Sequence, residues 1–393
     1  MMKDLRKLWK YIQCFMIVVS LYVMYALYVG MALKNLELYR KPKTYNLRNI
    51  VTVTNQTIQS KRVKKILVVA YQRSGSTFTS EILQHGGNRT FFSMEPLWQI
   101  YRTCYRRSVG ICCPNNKCRS PVHPNEEIHQ TLSVFRSIYS CNFTALPYDI
   151  LKSFATFPST EHENIKRLRC FNLKTAELEQ RVSLHYDNCV QRLTRACGSS
   201  SVIIIKTLRI NIELALELKA SLDNLYIVHL FRDPRAIFFS RAKVGALTND
   251  PINVQAKALC SVLYKNNMDA LHRSDKVYNL LYERIAKEPH RVVRSLFKFC
   301  ELNFSMTTSE WLQSFTNGSI QLPRHKLLSK KYGAFSAYSK ESFEVSRKWR
   351  KKISLNTNKI IQDSCKEVLD IFGLRVFEEE RELRNFGIQV LKG

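Results

Sequence analysis

KILVVAYQRSGSTF, residues Lys65–Phe78, is the stretch on which the fold turns. Its first six residues, Lys65–Ala70, form an apolar run of strand length. Tyr71–Ser76 then reads as a turn, and Thr77 opens a helix. The same strand–turn–helix unit recurs along the chain. Ser201–Lys206 (SVIIIK) precedes a helical stretch around Ile210–Leu218. Leu225–Phe231 (LYIVHLF) ends in Arg-Asp-Pro, where Pro234 suits a first helical position and Gly245 its stop. Lys276–Tyr282 leads into a helix from about Ile285 to Cys300. Such units in series predict an α/β fold, a P-loop-like parallel sheet flanked by helices on both faces. Residues 95–200, rich in Cys, Arg and Tyr, read as an irregular insertion. Lys340–Phe372 reads as helix, with Gly373 as its cap.

The turn after the first strand carries chemistry. A strand that bends tightly into a helix presents backbone N–H groups at the helix N-terminus, a ready anion site. Gly75 permits close backbone approach, Ser74, Ser76 and Thr77 supply hydroxyls, and Arg73 supplies a planar cation. The GxxxxGK[ST] pattern is absent, which disfavours an ordinary ATPase or GTPase. Taken alone, the segment also suits a plain capped turn. A second segment, Leu230–Arg241 (LFRDPRAIFFSR), follows another strand. Arg232 stands at the strand's carboxyl end and Ser240 about two turns into the next helix, so the pair could grip one phosphate. Taken alone, it also suits a salt bridge at a helix N-terminus.

The rest of the chain sets the context. Its 393 residues are 45% hydrophobic and 24% charged, as in a folded protein, and the formal net charge is +29. A field of that sign gathers polyanions or anionic cofactors. Tyr11–Leu33 holds no charged side chain. As a helix it would span roughly 35 Å, enough for a bilayer core. We read 1–10 as a cytoplasmic tail, 11–33 as a transmembrane signal anchor, 34–62 as a stem and 63–393 as the body. Lys3, Arg6, Lys7 and Lys10 precede the anchor, and Lys34, Arg40, Lys41 and Lys43 follow it, so flanking charge leaves its orientation nearly tied.

Cysteines and sequons break the tie toward a lumenal body. Eleven of the twelve cysteines lie outside the anchor, and Cys104, Cys112, Cys113, Cys118 and Cys141 cluster as in disulfide-stapled loops. A zinc site would need more regular spacing. Eleven is odd, so at least one thiol stays free. Five N-x-S/T sequons, at Asn55, Asn88, Asn142, Asn303 and Asn317, mark expected glycosylation sites.

Jointly, RSGST at Arg73–Thr77 and RDPRAIFFSR at Arg232–Arg241 resemble the 5′-phosphosulfate loop and 3′-phosphate motif of the Golgi carbohydrate 6-O-sulfotransferases. FSMEPLW at Phe92–Trp98, IKTLR at Ile205–Arg209 and the order Trp349-Arg350, Ile361-Gln362, Cys365 extend the likeness over about Lys64–Gly373. One departure is that Tyr282-Glu283 is followed by Arg284-Ile285, where the family has Asp-Leu. The resemblance implies the sulfotransferase fold and a Golgi single-pass type II membrane protein with a lumenal catalytic domain. It also implies sulfuryl transfer from 3′-phosphoadenylyl sulfate to the 6-hydroxyl of galactose, N-acetylgalactosamine or N-acetylglucosamine in a glycan or proteoglycan, releasing adenosine 3′,5′-bisphosphate.

The donor would be held by Arg73, Ser74, Gly75, Ser76, Thr77, Phe78, Arg232 and Ser240. Arg73, Glu95 and Lys206 would be catalytic, with Glu95 as base. His229 is an alternative base, although its place inside an apolar strand suits a satisfied core histidine better. Arg350 would help close the donor site. A sulfuryl group carries less charge than a phosphoryl group, so no metal is demanded. Nucleic-acid binding clashes with a lumenal body, and a homo-oligomer is left open. The rival readings are a tyrosylprotein sulfotransferase and a non-catalytic, basic glycan-binding membrane protein.

Overall fold

A computed structural model describes residues 63–98, 111–112, 118–119, 125–147, 150–151, 154, 182–320 and 340–392. The expected tail, anchor and stem, and Asn55, lie outside them. Among the described residues no helix is long and apolar enough to cross a membrane. The described elements belong to one compact unit, Lys61–Gly393.

Five strands make a parallel sheet in the order β2-β5-β1-β6-β7: β1 (Lys64–Ala70), β2 (Thr90–Met94), β5 (Val202–Thr207), β6 (Leu225–Phe231) and β7 (Val277–Leu281). A separate antiparallel pair joins β3 (Ile111–Cys112) to β4 (Cys118–Arg119). The central strand explains its own sequence. Ile66 and Val68 face one side of the sheet, Leu67 and Val69 the other, and all four are fully buried. A strand covered on both faces must be apolar at every position.

The helices supply the cover. Below the Ile66 face lie α1 (Ser76–Gln84), which bridges β1 to β2, and, beyond β7, α7 (Tyr282–Lys287), α8 (Pro289–Phe299) and α9 (Met306–Thr316). The Leu67 face is covered by α2 (Glu126–Tyr139), α3 (Val182–Gly198) and α4 (Ile212–Ala220). A third apolar cluster packs α5 (Pro234–Lys243) and α6 (Ile252–Leu271) against α11 (Leu355–Ser364) and α12 (Lys366–Ile371).

Two expectations need correction. The stretch 95–200 is not simply irregular, because α2 and α3 supply core side chains including Leu132, Phe135 and Leu193. Tyr139 donates from its hydroxyl to the carbonyl of Ile66 at 2.8 Å, and Cys141–Cys197 ties the two helix ends together. Nor is 340–372 one helix. It is divided into α10 (Ser342–Arg347), a 3-10 turn over Lys348–Lys351, α11 and α12. Ser354 restarts the helix by accepting the Thr357 N–H at 3.1 Å.

Arg235 fastens the C-terminal helices to the sheet. Fully buried, it makes a fork onto both carboxylate oxygens of Asp233, at 3.0 and 2.9 Å. Its third nitrogen donates to Gln362 Oε1 at 2.7 Å and to the Arg375 carbonyl at 2.8 Å, while Trp349 lies 4.7 Å from the guanidinium carbon. The disulfide Cys260–Cys365 closes the same region covalently. Arg235→Ala strands the Asp233 charge in the core, so a loss of about 3–5 kcal/mol is expected. Urea unfolding of the variant measures it, and wild-type stability would show that Arg235 fastens nothing.

Candidate active site

The loop Tyr71–Gly75 leaves β1 at the point where the topology reverses. After β1 the chain runs outward to β2, returns to β5 beside β1, and then crosses to β6 on the other flank. Open parallel sheets form their ligand crevice at such a point, outside the carboxyl ends of the strands.

Local sequence shapes this loop. Arg73 and Gly75 adopt left-handed φ values of 73° and 95°. The Ser74 N–H donates to the Tyr71 carbonyl at 3.0 Å, and the Tyr71 N–H donates back to Ser74 Oγ at 3.2 Å. Position 75 tolerates only glycine, since a Cβ there would lie 2.3 Å from the Tyr282 ring. Gly75 is also the N-cap of α1, with no side-chain cap and no acidic residue in the first turn. The free N–H groups and the helix dipole there attract an anion. Ser76 and Thr77 stand in that turn.

The second motif folds against the first. Arg73 Nε donates to Ser240 Oγ at 2.9 Å, and Arg232 donates to the Arg73 carbonyl at 3.1 Å. Arg241 donates to the Gln72 carbonyl at 3.3 Å. Arg232 lies with its guanidinium carbon 4.5 Å from the Tyr282 ring centroid. Positive charge accumulates around this contact. Burial and then Arg232 hold Arg73 below the usual guanidinium range. Burial likewise lowers Lys340, helped by Arg73, Lys243 and Lys348. The last three lysines escaped the sequence reading because they are scattered among many basic residues. Only the fold singles them out.

Glu95 and Lys206 meet at the neighbouring strand ends. Lys206 Nζ lies 2.7 Å from Glu95 Oε1, with both residues about 4% exposed, and Arg209 Nε is 4.0 Å from Oε2. The Glu95 N–H donates to the Lys206 carbonyl at 2.8 Å, which fixes the residue in its left-handed conformation, φ 52°. Lys206 is in register with Val68 and shares its face of the sheet, the face that α1 covers. The pair therefore stands on the same side of the sheet as the loop.

Other expected residues serve the scaffold. Ser74 is fully buried and its hydroxyl braces the loop. Phe78 turns its ring into the core, edge-on to Tyr282 and stacked on Phe315, leaving only its backbone for the cradle. Arg350 donates to the carbonyls of Leu383, Ile388, Glu382 and Asn385, so it binds the chain's C-terminal segment instead of closing a donor site. His229 is a core histidine. Burial pushes it down to about 4, and it joins Asn279 Oδ1 at 2.8 Å to the Tyr71 hydroxyl at 2.9 Å.

Comparisons with known proteins identify the family. Residues 63–373 match the family model described as sulfotransferase domain. Carbohydrate sulfotransferase 5 of Mus musculus is 24% identical over 83% of this chain and 84% of its own length. Carbohydrate sulfotransferase 1 of Homo sapiens is 23% identical, covering 84% of each chain. Among solved structures, the sulfotransferase domain from the Synechococcus PCC 7002 olefin synthase aligns at TM-score 0.39 and 16% identity, covering 79% of this chain and 98% of that one.

Gly75→Ala adds a Cβ where φ is positive and the Tyr282 ring stands. It should cost about 1–3 kcal/mol and abolish the stabilisation that a phosphate-bearing nucleotide gives in thermal unfolding. Equal stabilisation in variant and wild type would mean that the loop holds no anion.

Proposed function

Because the chain belongs to the sulfotransferase domain family, we propose that it moves a sulfuryl group from 3′-phosphoadenylyl sulfate to a 6-hydroxyl of galactose, N-acetylgalactosamine or N-acetylglucosamine in a glycan. The observation that carries this reading is the direct contact between the two motifs: one nucleotide with anionic groups at both ends can be clasped where Arg73 touches Ser240. The relatives named carbohydrate sulfotransferases support the sugar acceptor.

The residues fit the donor. The uncapped N-terminus of α1 and Arg73 suit its 5′ end, and Arg232 with Ser240 suits the 3′-phosphate. Crowded cations at this contact are costly alone and favourable around an anion. When bound, the donor supplies a sulfuryl group already attached to a good leaving phosphate. Arg73 and the loop N–H groups then stabilise charge on that phosphate. Glu95 takes the proton from the acceptor hydroxyl. Lys206 holds the Glu95 carboxylate at the strand edge and offers positive charge to the transferring oxygens. To act as base, Glu95 must loosen its bond to Lys206 as the acceptor enters.

We place the body in the Golgi lumen, anchored by 11–33. The disulfides Cys141–Cys197 and Cys260–Cys365 suit an oxidising compartment. Asn88, Asn142, Asn303 and Asn317 are all exposed, as glycan acceptors must be. Among the described residues the free thiol is Cys300, which is buried.

Transfer of labelled sulfate to chondroitin, keratan, N-acetylglucosamine-terminated glycans and tyrosine peptides tests the assignment. A sugar acceptor should be labelled and the peptides not. Arg73→Ala should lower kcat by about 10²–10³-fold, and Arg232→Ala should act mainly on the donor KM. Glu95→Gln should lower kcat by about 10²–10⁴-fold with donor binding kept. An unchanged kcat in folded Arg73→Ala together with an unchanged donor KM in folded Arg232→Ala would refute both cradles.

A further inference from the structure

Glu283 puts a buried carboxylate against the proposed 3′-phosphate cradle, where a negative charge works against the ligand. It is the second residue of α7, which follows β7 directly, and it is 3% exposed. Its Oε2 accepts the Asp233 N–H at 3.2 Å. Its Oε1 lies 3.6 Å from Arg232 Nε, and both of these atoms are buried without a hydrogen-bond partner. The two terminal nitrogens of Arg232 donate to the carbonyls of Arg73 and Val345, at 3.1 and 3.2 Å, and Tyr282 closes one face. The guanidinium is thus fixed on three sides, with Glu283 on its remaining edge.

The surroundings determine how Glu283 responds to a ligand. From the β6–α5 turn it faces Arg232 and Asp233, and Asp233 is already neutralised by Arg235. Tyr282 and Lys287 share its helix. Arg347 and Arg350 line the same small pocket, but Arg347 pairs with Glu344 and Arg350 is spent on four carbonyls. Arg73 stands behind Arg232. Burial and Asp233 push the Glu283 carboxyl up, against the pull of Arg232, to about 7. A phosphate bound to Arg232 offsets the cation that opposes that rise and adds negative charge nearby.

Resting on the donor assignment above, we propose that Glu283 is a positioning residue that orients Arg232 in the free enzyme and takes up one proton when the 3′-phosphate binds. The proton comes from solvent and converts the carboxylate to the neutral acid, and no other bond is made or broken. Donor affinity therefore strengthens as pH falls toward neutrality. A residue that merely filled space at position 283 would leave affinity independent of pH there.

The test is calorimetric titration of the purified chain with adenosine 3′,5′-bisphosphate from pH 7.0 to 8.5, in two buffers of different ionisation enthalpy. This range lies above the second ionisation of a phosphate monoester, at about 6, so the ligand's own charge is nearly constant. Wild type should take up about half a proton per nucleotide at pH 7.0, rising toward one by pH 8.5, and its Kd should rise by up to about tenfold per pH unit. Glu283→Gln should bind with a nearly flat Kd and no uptake. Binding by wild type without proton uptake overturns the inference while leaving the donor assignment intact, and it needs no variant to fold. A Glu283→Gln variant that keeps the wild-type slope also overturns it. Failure of wild type to bind the nucleotide at any pH overturns the donor assignment and the inference together.

Discussion

Both turns of the proposed donor site are built against one aromatic ring. Tyr282 leaves no room for a side chain at position 75, meets Phe78 edge-on at 5.7 Å, and lies under the Arg232 guanidinium at 4.5 Å. The ring is itself buried, at the carboxyl end of β7. It therefore fixes the position of the loop relative to the arginine, although the two come from different crossovers. The hydrogen bond from Arg73 to Ser240 depends on that spacing, and the proposed nucleotide clasp depends on the hydrogen bond. Weak single contacts reach this precision only because the core beneath them is close-packed and cannot adjust continuously.

The Arg-Asp-Pro-Arg run divides its work between chemistry and structure. Arg232 faces the cradle. Asp233 caps α5 by accepting the Arg235 N–H at 2.9 Å, Pro234 starts the helix, and Arg235 is buried among Gln362, Trp349 and Phe377. Breaking a buried pair on one side costs far more than the pair contributes, so Asp233 and Arg235 constrain each other. Their shared job is to hold the C-terminal helices where α10 can present the Val345 carbonyl to Arg232. The second arginine thus shapes the site without reaching it.

Much of the sheet was legible because β1, β5 and β6 carry apolar residues on both faces and each is followed by a turn. Leu225–Phe231 has the expected bounds, and the others differ by a residue or so. The two cradles were legible for the same reason: their residues follow directly from strand ends. What stayed hidden depends on distance in sequence. β2 is short, and its pairing with β5 joins residues more than a hundred positions apart. The cysteine cluster drew attention from the helical spacing of Leu132, Phe135 and Tyr139 in α2. Lys243, Lys340 and Lys348 carry no local pattern at all. Ser74 and Phe78 sit inside a functional motif yet point away from the crevice, which only the backbone geometry reveals. At the departure from the family pattern, Ile285 fills the core and Arg284 is exposed, so the exchange leaves the packing of α7 intact.

Backbone strain marks the same place. Among the described residues, five that are not glycine have positive φ, and two of them are Arg73 and Glu95. Cys141, Asn224 and Glu301 lie in connections between elements, where such a conformation reverses the chain. Arg73 lies in the loop that follows β1, and Glu95 directly follows β2, so both stand at the carboxyl edge of the sheet. Left-handed geometry costs a side-chain-bearing residue on the order of 1 kcal/mol, so neighbouring contacts must hold it. They do so here through the Ser74–Tyr71 bonds for the loop and the Glu95–Lys206 backbone bond for the acid. From there Arg73 reaches Ser240 and Glu95 reaches Lys206. For the proposed alignment of donor, acceptor and base, such a fixed orientation is worth more than the small loss of stability.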